Sequence, residues 1–185
     1  MKKRHWDAVI ERMQSDKALI GAEIGVYRGQ FSRAVLKAMP KLTLHLIDRW
    51  QVYPENEREE GRTKNRTKGS MDLFDEKDWE SIYKEARQRI KPFSDRAVIH
   101  RLCSEDASKL FEDKYFDFVF IDADHRYEAV IKDIEYWIPK VKSKGYICGH
   151  DYPSRPGVLK AVNEAFPSEM LETGYNLTWF IQINL

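Results

Sequence analysis

The sequence predicts an α/β protein built on a doubly wound, mainly parallel β-sheet. Three observations point there. Apolar runs of strand length alternate with stretches of helical period along most of the chain, the pattern of strand–helix–strand units that make a parallel sheet. The run Phe118-Val-Phe-Ile121 passes straight into Asp122, Ala123, Asp124 and His125, as expected of a strand buried on both faces that delivers ionisable groups to the ligand-binding carboxyl edge. The last two strand-like runs are separated only by a short turn around Gly174-Tyr175, which makes them an antiparallel pair.

The elements follow in order. Ala18–Val26 reads as the first strand, and Phe31–Met39 as a helix stopped by Pro40. Leu42–Ile47 is the second strand and ends at Asp48. A helix ending near Pro92 leads to a third strand over Ala97–Leu102, then a short helix over Ser104–Phe111 and a fourth strand over Tyr115–Ile121. Tyr127, Val130, Ile131, Ile134, Trp137 and Ile138 recur at spacings of three and four, a helical stripe closed by Pro139. Val141–Cys148 is the fifth strand and leads to Gly149-His150-Asp151. A helix after Pro153 runs to Phe166, and Glu169–Glu172 and Asn176–Asn184 close the sheet.

At 185 residues, 42% of them hydrophobic, the chain suits one domain with a substantial core. Its 31 Lys and Arg against 30 Asp and Glu leave a net charge of +1, which gives no field to recruit nucleic acid or an anionic membrane. A small molecule is the better-matched partner. Cys103 and Cys148 cannot make a disulfide framework, and neither a membrane-length apolar run nor a signal peptide is present. These points favour the cytoplasm. One interval breaks the rhythm: from Gln51 to about Ser70, Glu55, Glu57, Glu59 and Glu60 precede Arg62, Lys64, Arg66 and Lys68. Too polar for core, it is either a lid at the ligand edge or a solvated loop.

The exit of the first strand, Glu23-Ile-Gly25-Val26-Tyr27-Arg-Gly29-Gln-Phe-Ser32, carries a second chemical signal. Glycines there let the backbone pass close to a ligand, and the helix that follows aims free N–H groups at it; tight packing alone would account for them equally. Asp48, with Arg49 beside it, ends the second strand about twenty residues on, where a carboxylate can accept two hydrogen bonds from ribose hydroxyls. The third strand leads into Ser104-Glu105-Asp106, which either caps a helix or contacts a base ring.

Glu23–Gly29, Leu46-Ile-Asp48, Phe120-Ile-Asp122-Ala-Asp124-His125-Arg-Tyr127 and Gly149-His150-Asp151-Tyr152 together resemble the class I S-adenosylmethionine-dependent methyltransferases over nearly the whole chain. Within them the chain is similar to small-molecule O-methyltransferases of the catechol, caffeoyl-CoA and antibiotic-sugar group. The resemblance implies a seven-stranded, Rossmann-like sheet with an antiparallel last strand. It implies that Glu23, Gly25, Val26, Tyr27, Gly29 and Ser32 surround the methionine and ribose of S-adenosylmethionine, that Asp48 and Arg49 hold the ribose side, that Ser104, Glu105 and Asp106 lie by the adenine, and that Asp122 faces the cofactor.

Parallel neighbours lie roughly 4.8 Å apart, so the fourth and fifth strands bring Asp122, His150 and Asp151 together. Two carboxylates and an imidazole suit a divalent cation such as Mg2+ or Mn2+; the alternatives are that Asp122 bonds the cofactor and that His150-Asp151 orders a loop. Metal-using relatives bind their ion at this edge, although His150 departs from their all-oxygen ligands. Asp124 and His125 compete as the base that takes the acceptor's proton. His125 stands where catechol-type enzymes carry a lysine, and it titrates near neutral pH. Trp50, Tyr127, Tyr152 and Arg155 are candidate contacts for a small hydroxylated acceptor. The amphipathic start, Trp6, Val9, Ile10 and Met13, covers the sheet, covers the site, or forms a homo-oligomer interface. Two other functions remain open: a non-catalytic cofactor- or nucleotide-binding domain, and a nicotinamide oxidoreductase, disfavoured because the third glycine of its fingerprint is missing.

Overall fold

Residues 2–52 and 74–184 are described by the computed structural model; the polar interval read as a lid or solvated loop lies, from residue 53 to 70, outside them. Seven strands form one sheet in the order β3-β2-β1-β4-β5-β7-β6. They are β1 (Leu19–Ile24), β2 (Leu42–Ile47), β3 (Ala97–His100), β4 (Phe116–Ile121), β5 (Val141–Gly149), β6 (Leu171–Thr173) and β7 (Trp179–Gln182). β7 alone runs against the rest, antiparallel to both β5 and β6. The expected mainly parallel sheet with a reversed last strand is therefore present.

Among the described residues six α-helices flank it: α1 (His5–Met13), α2 (Gln30–Ala38), α3 (Glu76–Ile90), α4 (Ser104–Ser108), α5 (Tyr127–Trp137) and α6 (Pro156–Ala165). Alternation along each strand divides the interior in two. Leu42, Leu44, Leu46, Phe118 and Phe120 face α1, α2 and α3, while Ala22, Ile24, Ile47, Val119 and Ile121 face α5 and α6. The N-terminal amphipathic segment covers the sheet: α1 buries Ala8, Val9 and Met13 in the first of these cores.

Element ends shift by one to three residues where backbone chemistry intervenes. β1 stops at Ile24 rather than Val26 because Gly25 and Tyr27 take positive φ, 88° and 51°. β3 ends at His100, two residues early, as the chain turns towards Cys103, which starts α4 in extended conformation. Ser168–Met170 forms a single 3-10 turn, so β6 begins at Leu171 rather than Glu169.

One arginine ties the first face together. Arg96 donates to the carbonyls of Leu36 at 2.5 Å, Met39 at 3.1 Å and Leu42 at 3.1 Å. The C-terminal end of α2 leaves such carbonyls short of partners, although Met39 O also accepts the Leu42 N–H at 3.1 Å, and a cation there suits the helix dipole. We expect Arg96→Met to lower the unfolding free energy by about 2 kcal/mol, because hydrogen bonds from a charged donor are lost and partly buried carbonyls are left bare. Urea denaturation followed by circular dichroism reads this directly; an unchanged midpoint would show that water replaces the guanidinium at no cost.

Candidate functional site

The ladder of the parallel strands runs one residue beyond their assigned ends. Gly25 N–H donates to Ile47 O, Asp48 N–H to His100 O, Asp122 N–H to Ile24 O and His150 N–H to Ile121 O, at 2.8 to 3.2 Å. Gly25, Asp48, Asp122 and His150 therefore occupy one row at the carboxyl edge of four adjacent strands. This is where an open α/β sheet changes winding direction and binds ligands.

The left half of the row is a backbone turn held by a carboxylate. Asp48 Oδ2 accepts the N–H groups of Val26 at 3.0 Å and Tyr27 at 2.8 Å, and its Oδ1 accepts that of Trp50 at 2.8 Å. Burial raises the Asp48 pKa, and the three N–H groups oppose that rise by stabilising the anion. Tyr27 and Trp50 both carry positive φ, 51° and 43°, a conformation that persists in such residues only when surrounding bonds over-determine it. Behind the turn Glu23 is 1% exposed and accepts the hydroxyl of fully buried Ser32. Burial drives its pKa well above the ordinary value, with the Ser32 hydroxyl acting against the rise.

The right half is a knot of imidazoles and carboxylates. His125 Nε2 lies 3.0 Å from Asp151 Oδ2 and 3.6 Å from Asp122 Oδ1, and His150 Nδ1 lies 3.7 Å from an oxygen of each acid. Contacts with Asp122 and then Asp151 raise His125 to about 9, against burial, so it is protonated at neutral pH in this arrangement. Its contact with His125 takes Asp151 down to about 2. Burial pushes Asp122 upward, yet His125 and His150 together outweigh it and leave Asp122 below its usual value. Asp151 has φ 64°, a strained backbone at a functional edge.

Between the halves opens a cleft of about 1000 Å³, lined by Gly25, Tyr27, Asp48, Arg49, Ser104, Glu105, Asp122, Asp124 and His125 among others. Nine of the residues singled out from sequence thus share one cavity. Gly25 leaves no room for a side chain: a Cβ there would lie 2.4 Å from Asp122 O and 2.6 Å from the Ala123 Cα. The donor set at its end fits a divalent cation. Donor atoms of Asp122, His125 and Asp151 lie within 4.8 Å of one another, and His150 Nε2 is buried without a hydrogen-bond partner among the described residues. The converging group thus holds His125 in the place where the sequence suggested His150, whose Nδ1 stands 3.7 Å from Asp122 and Asp151.

Other residues are placed differently from expectation. Trp50, read as an acceptor contact, is 0% exposed; its indole donates to Tyr27 O at 2.8 Å and its ring packs on Tyr83, so it supports the turn from inside the core. The hydroxyls of Tyr127 and Tyr152 donate to Glu164 at 2.8 Å and Asn163 at 3.0 Å, fastening α6 rather than facing the cleft. Arg155 is half exposed at the rim, its Nε 3.8 Å from Asp151. Asp106 lies outside the cleft wall, paired with Lys109 and accepting from Cys103. Ser32 and Gly29 stand behind the turn, the glycine at the N-terminus of α2 with φ 71°. Asp124 lines the cleft, but its carboxylate is engaged by the backbone N–H, Nε and Nη2 of Arg126, at 2.6 to 2.9 Å.

Three site residues escaped the sequence reading. His5, from α1, places its ring 4.4 Å from that of His150 and stacks on Phe31 and Phe120; burial lowers it to about 4, so it is neutral. No local pattern marked it, because the partners are remote in sequence. Arg126 ties down Asp124. Asp133, 6% exposed on the cleft wall, did carry a signal: a carboxyl inside the stripe Val130, Ile134, Trp137.

Residues 22–152 match the model of a protein family described as a methyltransferase domain. No curated protein matches the chain. Among solved structures it is similar to the O-methyltransferase NovP, with 17% identity and a TM-score of 0.67 over 98% of this chain and 78% of that one. It is similar too to the O-methyltransferase TomG from Streptomyces achromogenes, involved in tomaymycin synthesis and solved in complex with S-adenosylmethionine. Here the values are 14% identity and a TM-score of 0.61 over 97% and 78%. At such identities these likenesses establish a common fold.

The two turn glycines give a discriminating test. Both have positive φ, but a Cβ at Gly29 would meet Ala86 no closer than 3.5 Å whereas one at Gly25 meets backbone. Gly29→Ala should cost about 1 kcal/mol of stability, the left-handed penalty alone. Gly25→Ala should cost at least about 2 kcal/mol more, since the Asp122 strand has to move. Equal unfolding midpoints for the two variants would mean that the approach of the turn to Asp122 is looser than described.

Proposed function

We propose, on the premise that this chain belongs to the methyltransferase-domain family and draws its methyl group from S-adenosylmethionine, that it transfers that group to a hydroxyl oxygen of a small molecule. The observation that carries this reading is the meeting of Asp122, His125, His150 and Asp151 beside the cleft formed at the glycine turn. Methyl transfer is an in-line displacement at a sulfonium carbon. It asks an enzyme to align donor and acceptor and to make the acceptor oxygen anionic, and little else.

The cofactor's methionine and ribose end belongs, in this reading, at Gly25, Val26, Tyr27, Asp48 and Arg49, with Ser104 and Glu105 at its base end. Glu23 and Ser32 act from behind by holding the turn, and Asp48 does so from its far side. Asp122 and Asp151, with His150 and His125, would hold a divalent cation, whose charge lowers the pKa of an acceptor hydroxyl. Asp124 is a poor candidate for the acceptor's proton, its oxygens being occupied by Arg126; His125 is the better one, in the state where its Nε2 does not coordinate the cation. It can accept one only after giving up the proton it shares with Asp122 and Asp151, and that proton and a cation compete for the same two carboxylates. His5 and the rim around Arg155 bound the acceptor side. The mixed charge of the cleft wall suits a small hydroxylated molecule. No helix among the described residues is long and apolar enough to cross a membrane, and cytoplasmic action on a small metabolite, without nucleic acid, is part of this proposal.

Calorimetric titration with S-adenosylmethionine, with and without Mn2+, tests the reading, followed by transfer of labelled methyl to a panel of catechols and hydroxylated glycosides. Wild-type protein should bind the cofactor and Mn2+. Asp122→Asn should weaken Mn2+ by at least about tenfold and abolish transfer, whereas Asp124→Asn should leave Mn2+ affinity within a factor of about three. A wild-type protein that does not bind S-adenosylmethionine would end the proposal; labelled product formed equally in Mn2+ and in chelator would remove the metal from it.

A further inference from the structure

We propose that Asp133 is a binding residue for the purine end of the cofactor, its carboxyl group presenting one hydrogen-bond donor and one acceptor to the edge of a 6-aminopurine. This rests on the reading of the cleft as an S-adenosylmethionine site. Asp133 occupies a core position of α5, between Val130 and Trp137 and beside Ile134, where a carboxyl group is costly to bury. It is 6% exposed and belongs to the cleft wall together with Ser104, Glu105, Ala129 and Tyr136. The Trp137 indole N–H donates to Ser104 Oγ at 2.8 Å, and Ser104 lies close enough to the Asp133 carboxyl to favour its anion. A serine bond to the carbonyl oxygen leaves that oxygen a second lone pair, so the neutral carboxyl still offers an acceptor and an O–H donor to a ligand in the cleft.

Burial raises Asp133 to about 7, with Ser104 acting against the rise and neighbouring Asp124 adding to it. The protonation state matters for recognition. Each hydrogen-bonding edge of adenine sets a ring nitrogen acceptor beside the amino N–H donor. A neutral carboxyl matches both, whereas a carboxylate offers only acceptors and faces the ring nitrogen with a lone pair. Closing the cleft with a flat ring also removes water, which again favours the neutral form. Bound protein therefore holds this proton more tightly than free protein, and affinity falls as the pH rises above about 7.

The charged and titratable groups around Asp133 come from three segments. Cys103 and Glu105 stand at α4, Asp124 and Arg126 on the link to α5, and Glu128, Lys132 and Tyr136 on α5 itself. Glu105 is lowered by Lys109, Asp124 is paired with Arg126, and burial moves Cys103 and Tyr136 upward. None of these shifts moves a group towards neutral pH. A proton taken up at this end of the cleft thus reports Asp133.

The probe is S-adenosylhomocysteine, titrated calorimetrically at pH 6.5, 7.5 and 8.5 and constant ionic strength. Wild-type affinity should fall about tenfold or more from the lowest to the highest pH. Asp133→Asn, whose amide supplies the same donor and acceptor without titrating, should keep the low-pH affinity throughout; ionisation of the ligand itself appears in both proteins and cancels in the comparison. Asp133→Leu should lose at least about tenfold at pH 6.5. Equal pH slopes for wild type and the Asn variant overturn the proposal, as does an Asn variant tenfold weaker than wild type at pH 6.5. Absence of binding by wild type at every pH overturns the cofactor reading itself, and this inference falls with it.

Discussion

The carboxylate of Asp48 is the constraint on which the rest of the site depends. It closes three backbone N–H groups, from Val26, Tyr27 and Trp50, around one buried anion. Those bonds join the exits of β1 and β2 into a single turn. They also hold two residues in the left-handed region that would relax in their absence. The indole of Trp50 then reaches back to Tyr27 O, so the turn is bonded in both directions. Without that lock the ladder would still seat Gly25 against the carbonyl of Asp122, but Val26, Tyr27 and Trp50 would lose the bonds that shape the cleft beside it.

The same residue shows how far the sequence could be read. Its position after β2 and its distance from the glycine turn were visible, because strand ends and turn glycines leave local marks. Its three N–H partners were not, since two of them lie more than twenty residues away. The strand order, the two-faced burial and the reversal of β7 likewise follow from apolar runs and turn spacing. Side-chain commitments do not. Tyr127, Tyr152 and Asp124 looked available because their partners, Glu164, Asn163 and Arg126, become neighbours only in the folded chain or through rotamers that a sequence does not print. His5 is the limiting case, brought to His150 across almost the full length of the chain.

Charge in this site is distributed by burial as much as by composition. Depth pushes the Glu23 pKa upward and backbone dipoles hold Asp48, while imidazoles lower Asp122 and Asp151. His5 and His125 are the same side chain in opposite states, one emptied of its proton by burial and the other filled by two carboxylates. A chain with nearly equal acids and bases can thus concentrate unlike protonation states within one edge of one sheet.

The row formed by Gly25, Asp48, Asp122 and His150 also makes ligand binding a checksum on folding. Each of these residues stands a single position beyond a hydrogen-bonded strand. Slipping any strand by one residue would present Val26, Arg49, Ala123 or Asp151 in its place and turn its side chains to the opposite core. A mispaired sheet could keep most of its secondary structure and stay silent towards a ligand. For this molecule, occupancy of the cleft certifies the register of four strands at once, which spectroscopic helix and strand content cannot do.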